Sequence, residues 1–120
     1  MIKNILIVGL GGAAGSMLRY GISLLTAVLQ GPATMATLAV NIIGSFVLGG
    51  LTASCGQGSW MLFATVGLCG GFTTFSTFSV QSVALLQQGR YAAGALYILA
   101  TLVCCLLSTL LGCWIGQRLK

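Results

Sequence analysis

The side chains best able to hold a small solute gather in one stretch, Gly67-Leu68-Cys69-Gly70-Gly71-Phe72-Thr73-Thr74-Phe75-Ser76-Thr77-Phe78-Ser79. A glycine pair is followed there by alternating aromatics and hydroxyls. Glycine is a poor helix former and permits unusual backbone angles, so a helix broken at this point would free amides and carbonyls. At bilayer depth, freed groups are tolerated only where protein or a water-filled site covers them, and broken helices are a recurring device for ion sites. The competing reading is a continuous helix whose hydroxyls bond back to their own carbonyls, with Phe72, Phe75 and Phe78 as a packing stripe. Glycines and hydroxyls side by side favour the break. Ring edges carry partial positive charge, and hydroxyls and amides donate hydrogen bonds. Such a lining suits a small anion.

The remaining chemistry is defined by what is missing. The chain holds five Lys and Arg and no Asp, Glu or His, for a net charge of +5. That removes paired-carboxylate catalysis, most hard-cation sites and proton relays, and leaves serine or cysteine without its usual base. An enzyme is therefore not expected. The charge is too small and dispersed for nucleic acid, and a polybasic lipid patch needs a tighter cluster. Cys55, Cys69, Cys104, Cys105 and Cys113 show no C-x-x-C spacing, so they read as small apolar packers rather than zinc or redox ligands.

These residues must be carried by membrane-spanning elements. The 120 residues are 58% hydrophobic and 4% charged, against about 25% charged in a soluble domain. A span needs about 20 apolar residues. Four runs fill the chain, roughly Ile5–Leu29, Ala33–Ser54, Trp60–Leu86 and Tyr91–Gln117, as one domain over 1–120. Lys3 before an apolar run imitates a secretory signal, but three more spans follow. Runs such as Ala95–Leu107 lack the alternation of barrel strands, so the fold class is all-α integral membrane, with the third helix broken mid-membrane. Gly11-x-x-x-Gly15 and Gly112-x-x-x-Gly116 are small-residue pairs that let helix backbones approach. With four spans, Lys3, Arg118 and Lys120 share one side, and Arg90 lies on the other, with Arg19 inside the first span. This weak bias permits both orientations. An antiparallel homodimer would follow; the alternative is one fixed orientation with cytoplasmic termini.

The stretch Gly70-Gly71-Phe72-Thr73-Thr74-Phe75-Ser76-Thr77-Phe78-Ser79 resembles the hallmark of the Fluc (CrcB) fluoride channel family. Gly12-Ala13-Ala14-Gly15-Ser16-Met17-Leu18-Arg19-Tyr20, Thr37-Leu38-Ala39-Val40-Asn41-Ile42-Ile43-Gly44-Ser45-Phe46 and Gly89-Arg90-Tyr91 extend the resemblance through all four spans. It implies a multi-pass protein of the bacterial plasma (inner) membrane, built as an antiparallel dual-topology homodimer. Such a protein exports fluoride passively and confers fluoride resistance, with a structural sodium ion at the dimer centre. It implies Phe75 and Phe78 as pore phenylalanines, Asn41 as a pore amide donor, Ser76 and Thr77 as nearby hydroxyls, and Arg19 at an aqueous vestibule. The Gly70 and Thr73 carbonyls would be the sodium ligands, two from each subunit.

On the fourth span Tyr97, Thr101 and Cys105 are spaced i, i+4, i+8 and form one stripe. The family's polar track falls there, usually with Ser where this chain has Cys105. Ser108 and Thr109 are either substitutes for that hydroxyl or back-bonded helix residues. The alternative function is a small multidrug-type cation/proton antiporter, which depends on an embedded Glu that this chain lacks. A purely structural membrane subunit would carry no ion flux.

Overall fold

The computed structural model describes residues 1–54 and 56–120; Cys55 lies outside the described residues. Four helical runs are long and apolar enough to cross a membrane: Ile2–Val28, Ala33–Ala53, Ser59–Gln87 and Tyr91–Arg118. They match the expected spans to within three residues at either end. Among the described residues there is no strand. The longest dimension, 47 Å, suits a bilayer of about 40–45 Å including headgroups.

The first span is helix α1 (Ile2–Val28) and the second α2 (Ala33–Ala53). The third contains α3 (Ser59–Leu62), a π-helical stretch (Phe63–Cys69), α4 (Gly70–Phe72) and α5 (Phe75–Gln87). The fourth is α6 (Tyr91–Arg118). Short connections fix the entry into each helix. After α1, Gln30 takes φ 58°, the amide of Gly31 reaches the Thr26 carbonyl, and that of Gln30 reaches Ala27. Gly89, at φ 76°, serves the same end between α5 and α6, where the Arg90 amide bonds Leu85 and the Gly89 amide bonds Leu86. Both are left-handed helix terminations.

Two tight seams hold the spans together, α2 on α6 and α1 on the third span. A methyl group added at Gly67 would come within 2.8 Å of the Val8 carbonyl oxygen. At Gly71 it would come within 2.5 Å of that of Gly12, and at Gly15 within 2.7 Å of the Phe72 amide nitrogen. On the other seam, a methyl at Gly49 would stand 2.5 Å from the Thr109 carbonyl, and at Gly116 3.0 Å from the Gly50 Cα. The small-residue pairs of the first and last spans are thus sites of backbone-to-backbone contact, which compensates for the absence of a hydrophobic drive between helices in lipid.

The interior is correspondingly thin. Val40, Ala36 and Ala64 are buried, while Leu10, Met17, Leu24, Leu102, Leu106 and Leu110 point outward. An apolar exterior around a core of small side chains and two buried rings, Phe78 and Tyr97, is the arrangement expected of helices solvated by lipid or by another subunit.

Candidate functional site

The third span bends by only 16° overall, yet two of its residues leave helical geometry. Thr73 has φ −90°, ψ 160° and Thr74 has φ −153°, ψ 123°. The sequence places the irregularity on the glycine pair; the structure places it three residues later. Gly70 and Gly71 remain helical, and Gly71 is used for its small size against α1. The hydroxyl residues that follow bear the unusual backbone, because their side chains can bond to nearby backbone groups in place of helical partners.

Asn41 of α2 fits into this gap. Its Nδ2 donates to the Thr74 carbonyl at 3.0 Å, and the Thr74 amide donates to its Oδ1 at 2.8 Å. One buried primary amide thereby stands in for the Gly70 carbonyl at the Thr74 amide and adds a donor to the Thr74 carbonyl, which as the N-cap of α5 also accepts that helix's first bond. Nδ2 has a second N–H left to donate. Gly44, one turn along α2, clears the space that the Thr73 methyl occupies. Below the gap α5 starts afresh, with the Thr74 hydroxyl accepting from the Thr77 amide at 3.2 Å. A Thr N-cap accepting from its third following residue is an ordinary helix start, here set in the middle of a span.

The carbonyls just before the gap are affected in turn. The Gly70 carbonyl would ordinarily accept from the Thr74 amide, which is turned to Asn41 instead. The Gly71 carbonyl accepts from Arg19 Nε at 3.1 Å. Arg19, half-buried in α1, is therefore tied to the interrupted segment. Thr73 donates both its amide and its hydroxyl to the Cys69 carbonyl, at 3.0 and 2.9 Å, so its side chain is spoken for and its own carbonyl is the group left over.

A groove of about 270 Å³ opens beside this gap. Of the residues expected to form an ion path, Asn41, Phe75, Phe78 and Thr101 line it. Phe75 is 70% exposed while Phe78 is buried, and their rings lie 5.5 Å apart. Thr101 is only 5% exposed, and its hydroxyl has no hydrogen-bond partner among the described residues. Ser76 and Thr77 do not line this groove: Thr77 faces a smaller cavity with Thr37, Ser23 and Gln81, and Ser76 is exposed beside the Thr74 hydroxyl. Tyr97 stands one step away. Its ring packs on Phe78 at 5.3 Å, and its hydroxyl donates to Gln81 Oε1 at 2.8 Å. It borders a second groove that runs past Gln81 and Gln88 to Arg90.

Reading the sequence missed three of the participants. Thr74 stands inside the quoted motif without a role, and Ser45, which lines the same groove, stands in a matching segment only. Gln81 is a polar residue inside an apolar run three positions after Phe78, a spacing that puts it near the same helix face. Ser108 donates to the Ile42 carbonyl at 2.7 Å and Thr109 to its own Cys105 carbonyl at 2.9 Å. Ser108 is an interhelical tie and Thr109 is back-bonded.

The arrangement offers hydroxyl and amide donors, ring edges and a helix N-terminus, with no acidic group. A family model described as "CrcB-like protein, Camphor Resistance (CrcB)" matches residues 6–113. The fluoride-specific ion channel FluC of Serratia proteamaculans is 40% identical, the alignment covering 98% of this chain and 100% of that one. FluC 1 of Listeria monocytogenes serovar 1/2a is 43% identical over 97% of this chain and 99% of its own. FluC of Methylobacterium nodulans is 42% identical over 82% and 83%.

Proposed function

The chain belongs to the CrcB family, and on that premise we propose how this multi-pass membrane protein works as a fluoride-specific ion channel rather than an enzyme. The observation that carries the reading is the groove where Asn41, Phe75, Phe78 and Thr101 converge beside the gap in the third span. Fluoride is small and strongly hydrated, so each water it sheds must be replaced by a donor already in place. The free N–H of Asn41, the unpartnered Thr101 hydroxyl and the ring edges of Phe75 and Phe78 supply those replacements. The N-terminus of α5 adds a partial positive charge beside them. Larger halides, with weaker hydrogen bonding, lose in a narrow and rigid path. No residue couples the flow to protons, so fluoride runs downhill, out of the cytoplasm and across the bacterial inner membrane.

The gap at Thr73–Thr74 is then a mid-membrane break kept for function. Phe75 and the open side of the groove need a second copy to enclose them, and the weak Lys and Arg bias allows that copy to insert antiparallel. At the centre of such a dimer, the Gly70 and Thr73 carbonyls of each subunit would hold a sodium ion. These residues fit a cation: Gly70 is exposed, its carbonyl has lost its helical donor, and the hydroxyl of Thr73 is already used. The ion would supply positive charge that neutral oxygens can accept and that offsets their desolvation. Arg19 combines two roles, holding the Gly71 carbonyl and drawing anions towards the vestibule.

Fluoride efflux from proteoliposomes holding only this protein tests the reading. The expected result is efflux driven by the fluoride gradient alone, with chloride retained. Tagged C-termini should be labelled on both membrane faces, and a sodium gradient should not drive fluoride uphill. Absence of efflux overturns the channel, labelling on one face overturns the antiparallel dimer, and uphill fluoride overturns a purely structural sodium.

A further inference from the structure

Four of the five cysteines lie among the described residues, and they occupy four different surroundings. Cys69 is buried and borders an apolar cavity with Leu18, Val47 and Phe72. Cys104 is exposed on the outer face of α6. Cys113 lies in the seam where α6 meets Gly49. Cys105 alone lines the groove that holds Asn41, Thr74, Phe75 and Thr101. It is a free thiol, half-buried, one helical turn from Thr101 on the same face of α6.

Thr101 supplies an independent sign that this face is built to meet a ligand. Its hydroxyl is almost wholly buried and lacks a partner among the described residues, a state that costs free energy unless something transient occupies it. The sulfur of Cys105 stands next along the same groove. A thiol differs from the hydroxyls around it in one decisive way: it is soft and nucleophilic, and forms covalent bonds with sulfur electrophiles.

We infer that Cys105 is a thiol-modification site inside the ion path, through which a small sulfur electrophile shuts off fluoride conduction. The inference rests on the groove being that path. With methyl methanethiosulfonate, the deprotonated Cys105 sulfur attacks the methylthio sulfur of the reagent. A new S–S bond forms, the reagent's own S–S bond breaks, and methanesulfinate leaves with the electron pair; the thiol proton passes to buffer. The methylthio group then stands among Thr101, Ser45 and Phe75 in the groove of about 270 Å³, where it puts an apolar cap over the donors that would replace the water a fluoride ion sheds. Dithiothreitol, as the reductant, restores the thiol.

The experiment treats reconstituted protein with methyl methanethiosulfonate at mildly alkaline pH. It reads fluoride efflux and maps the methylthio adduct by peptide mass spectrometry. Expected is an adduct on Cys105 and a fall in efflux of about tenfold, since a rigid, single-file path tolerates no obstruction, with recovery on dithiothreitol. Cys105→Ser should be insensitive relative to its own untreated flux, and so should Cys105→Ala, while Cys104→Ser and Cys113→Ser stay sensitive. An unmodified Cys105, a modified Cys105 with undiminished efflux, or inhibition that persists in both Cys105 variants each overturns the inference. Untreated efflux checks the channel reading separately, and the adduct map reports on Cys105 whether or not ions flow.

Discussion

Where α2 lies against α6 at Gly49, Gly50, Gly112 and Gly116, backbone meets backbone with room for little else, and a side chain ties the two helices further along, where Ser108 donates to the Ile42 carbonyl. Where α2 meets the third span at Thr73–Thr74, the same helix turns a polar side chain into a gap and satisfies the exposed backbone with it. The two regions stand side by side on one element, separated by about two turns between Asn41 and Gly49 at 3.6 residues per turn. The contrast teaches that glycine here serves closeness, whereas irregular backbone is left to hydroxyls and an amide. A dry seam fixes distance between helices. A polar clasp keeps donors available at bilayer depth, which is what a path for a hydrated anion requires.

The comparison breaks most violently at the seam. In Gly112→Ala the new methyl meets the Phe46 carbonyl and comes to 3.0 Å from the Gly50 amide nitrogen, backbone that cannot step aside. Overpacking of this kind costs about 1–3 kcal/mol or more, and the expected outcome is little monodisperse protein on size exclusion. Gly21→Ala, where nothing lies within 4 Å, should behave as wild type. Equal yields from both variants would mean that the seam is not the fixed element it is taken for.

At the clasp the next largest effect is expected from Asn41→Leu. It removes both bonds to Thr74 and leaves the Thr74 amide without a partner, at about 2 kcal/mol overall if each bond contributes the roughly 1 kcal/mol typical of proteins. Fluoride efflux should fall at least about tenfold, because a groove donor goes and the backbone beside it loosens. Asn41→Asp keeps the acceptor for the Thr74 amide but loses the donor and brings a carboxylate to the proposed anion path. It should abolish efflux while retaining more stability than Asn41→Leu, a difference that thermal unfolding in detergent will show.

How much of this was legible beforehand follows from the same contrast. The spans, their helical nature and the close-packing glycine pairs could be read because each is a local property of hydropathy or spacing. Residue type and resemblance single out the motif together with Asn41 and Thr101, and Asn41, Phe75, Phe78 and Thr101 line one groove. What escaped was non-local. That Asn41 clasps Thr74 depends on residues 33 apart in sequence, and no pattern within either span announces it. The irregular backbone was expected at Gly70–Gly71 on propensity, but tertiary contact with α1 uses those glycines in helical form and moves the irregularity to Thr73–Thr74. Ser76 and Thr77 share the motif but not the groove, since beyond Thr74 the restarted helix turns them to other faces.

Phe75 and Phe78 sharpen the comparison further, as one ring is open and the other enclosed. Replacing either by Ile should depress fluoride flux several-fold if ring edges face the ion, because an aliphatic group has no positive edge to offer. Only Phe78→Ile, at a buried site, should also lower stability, by about 1 kcal/mol, as for shape changes in packed cores. Unchanged flux in both variants would return the rings to packing.

The smallest structural change carries the most pointed test. Thr101→Val keeps shape and removes one hydroxyl. If that hydroxyl belonged to the folded scaffold, its loss would destabilise the protein, as losing any satisfied hydrogen bond does, by about 1 kcal/mol. In the structure it is buried without a partner among the described residues, so its removal relieves a desolvation cost, and the midpoint of thermal unfolding should stay level or rise. If the groove is the fluoride path proposed above, flux should move the other way, falling several-fold for want of a donor to replace fluoride's water. Thr101→Ser, which restores the hydroxyl, should restore most of the flux. Stability up with conduction down in Thr101→Val, and conduction recovered in Thr101→Ser, is a pattern no packing role produces. A Thr101→Val channel that conducts like wild type would place the ion path elsewhere on α6.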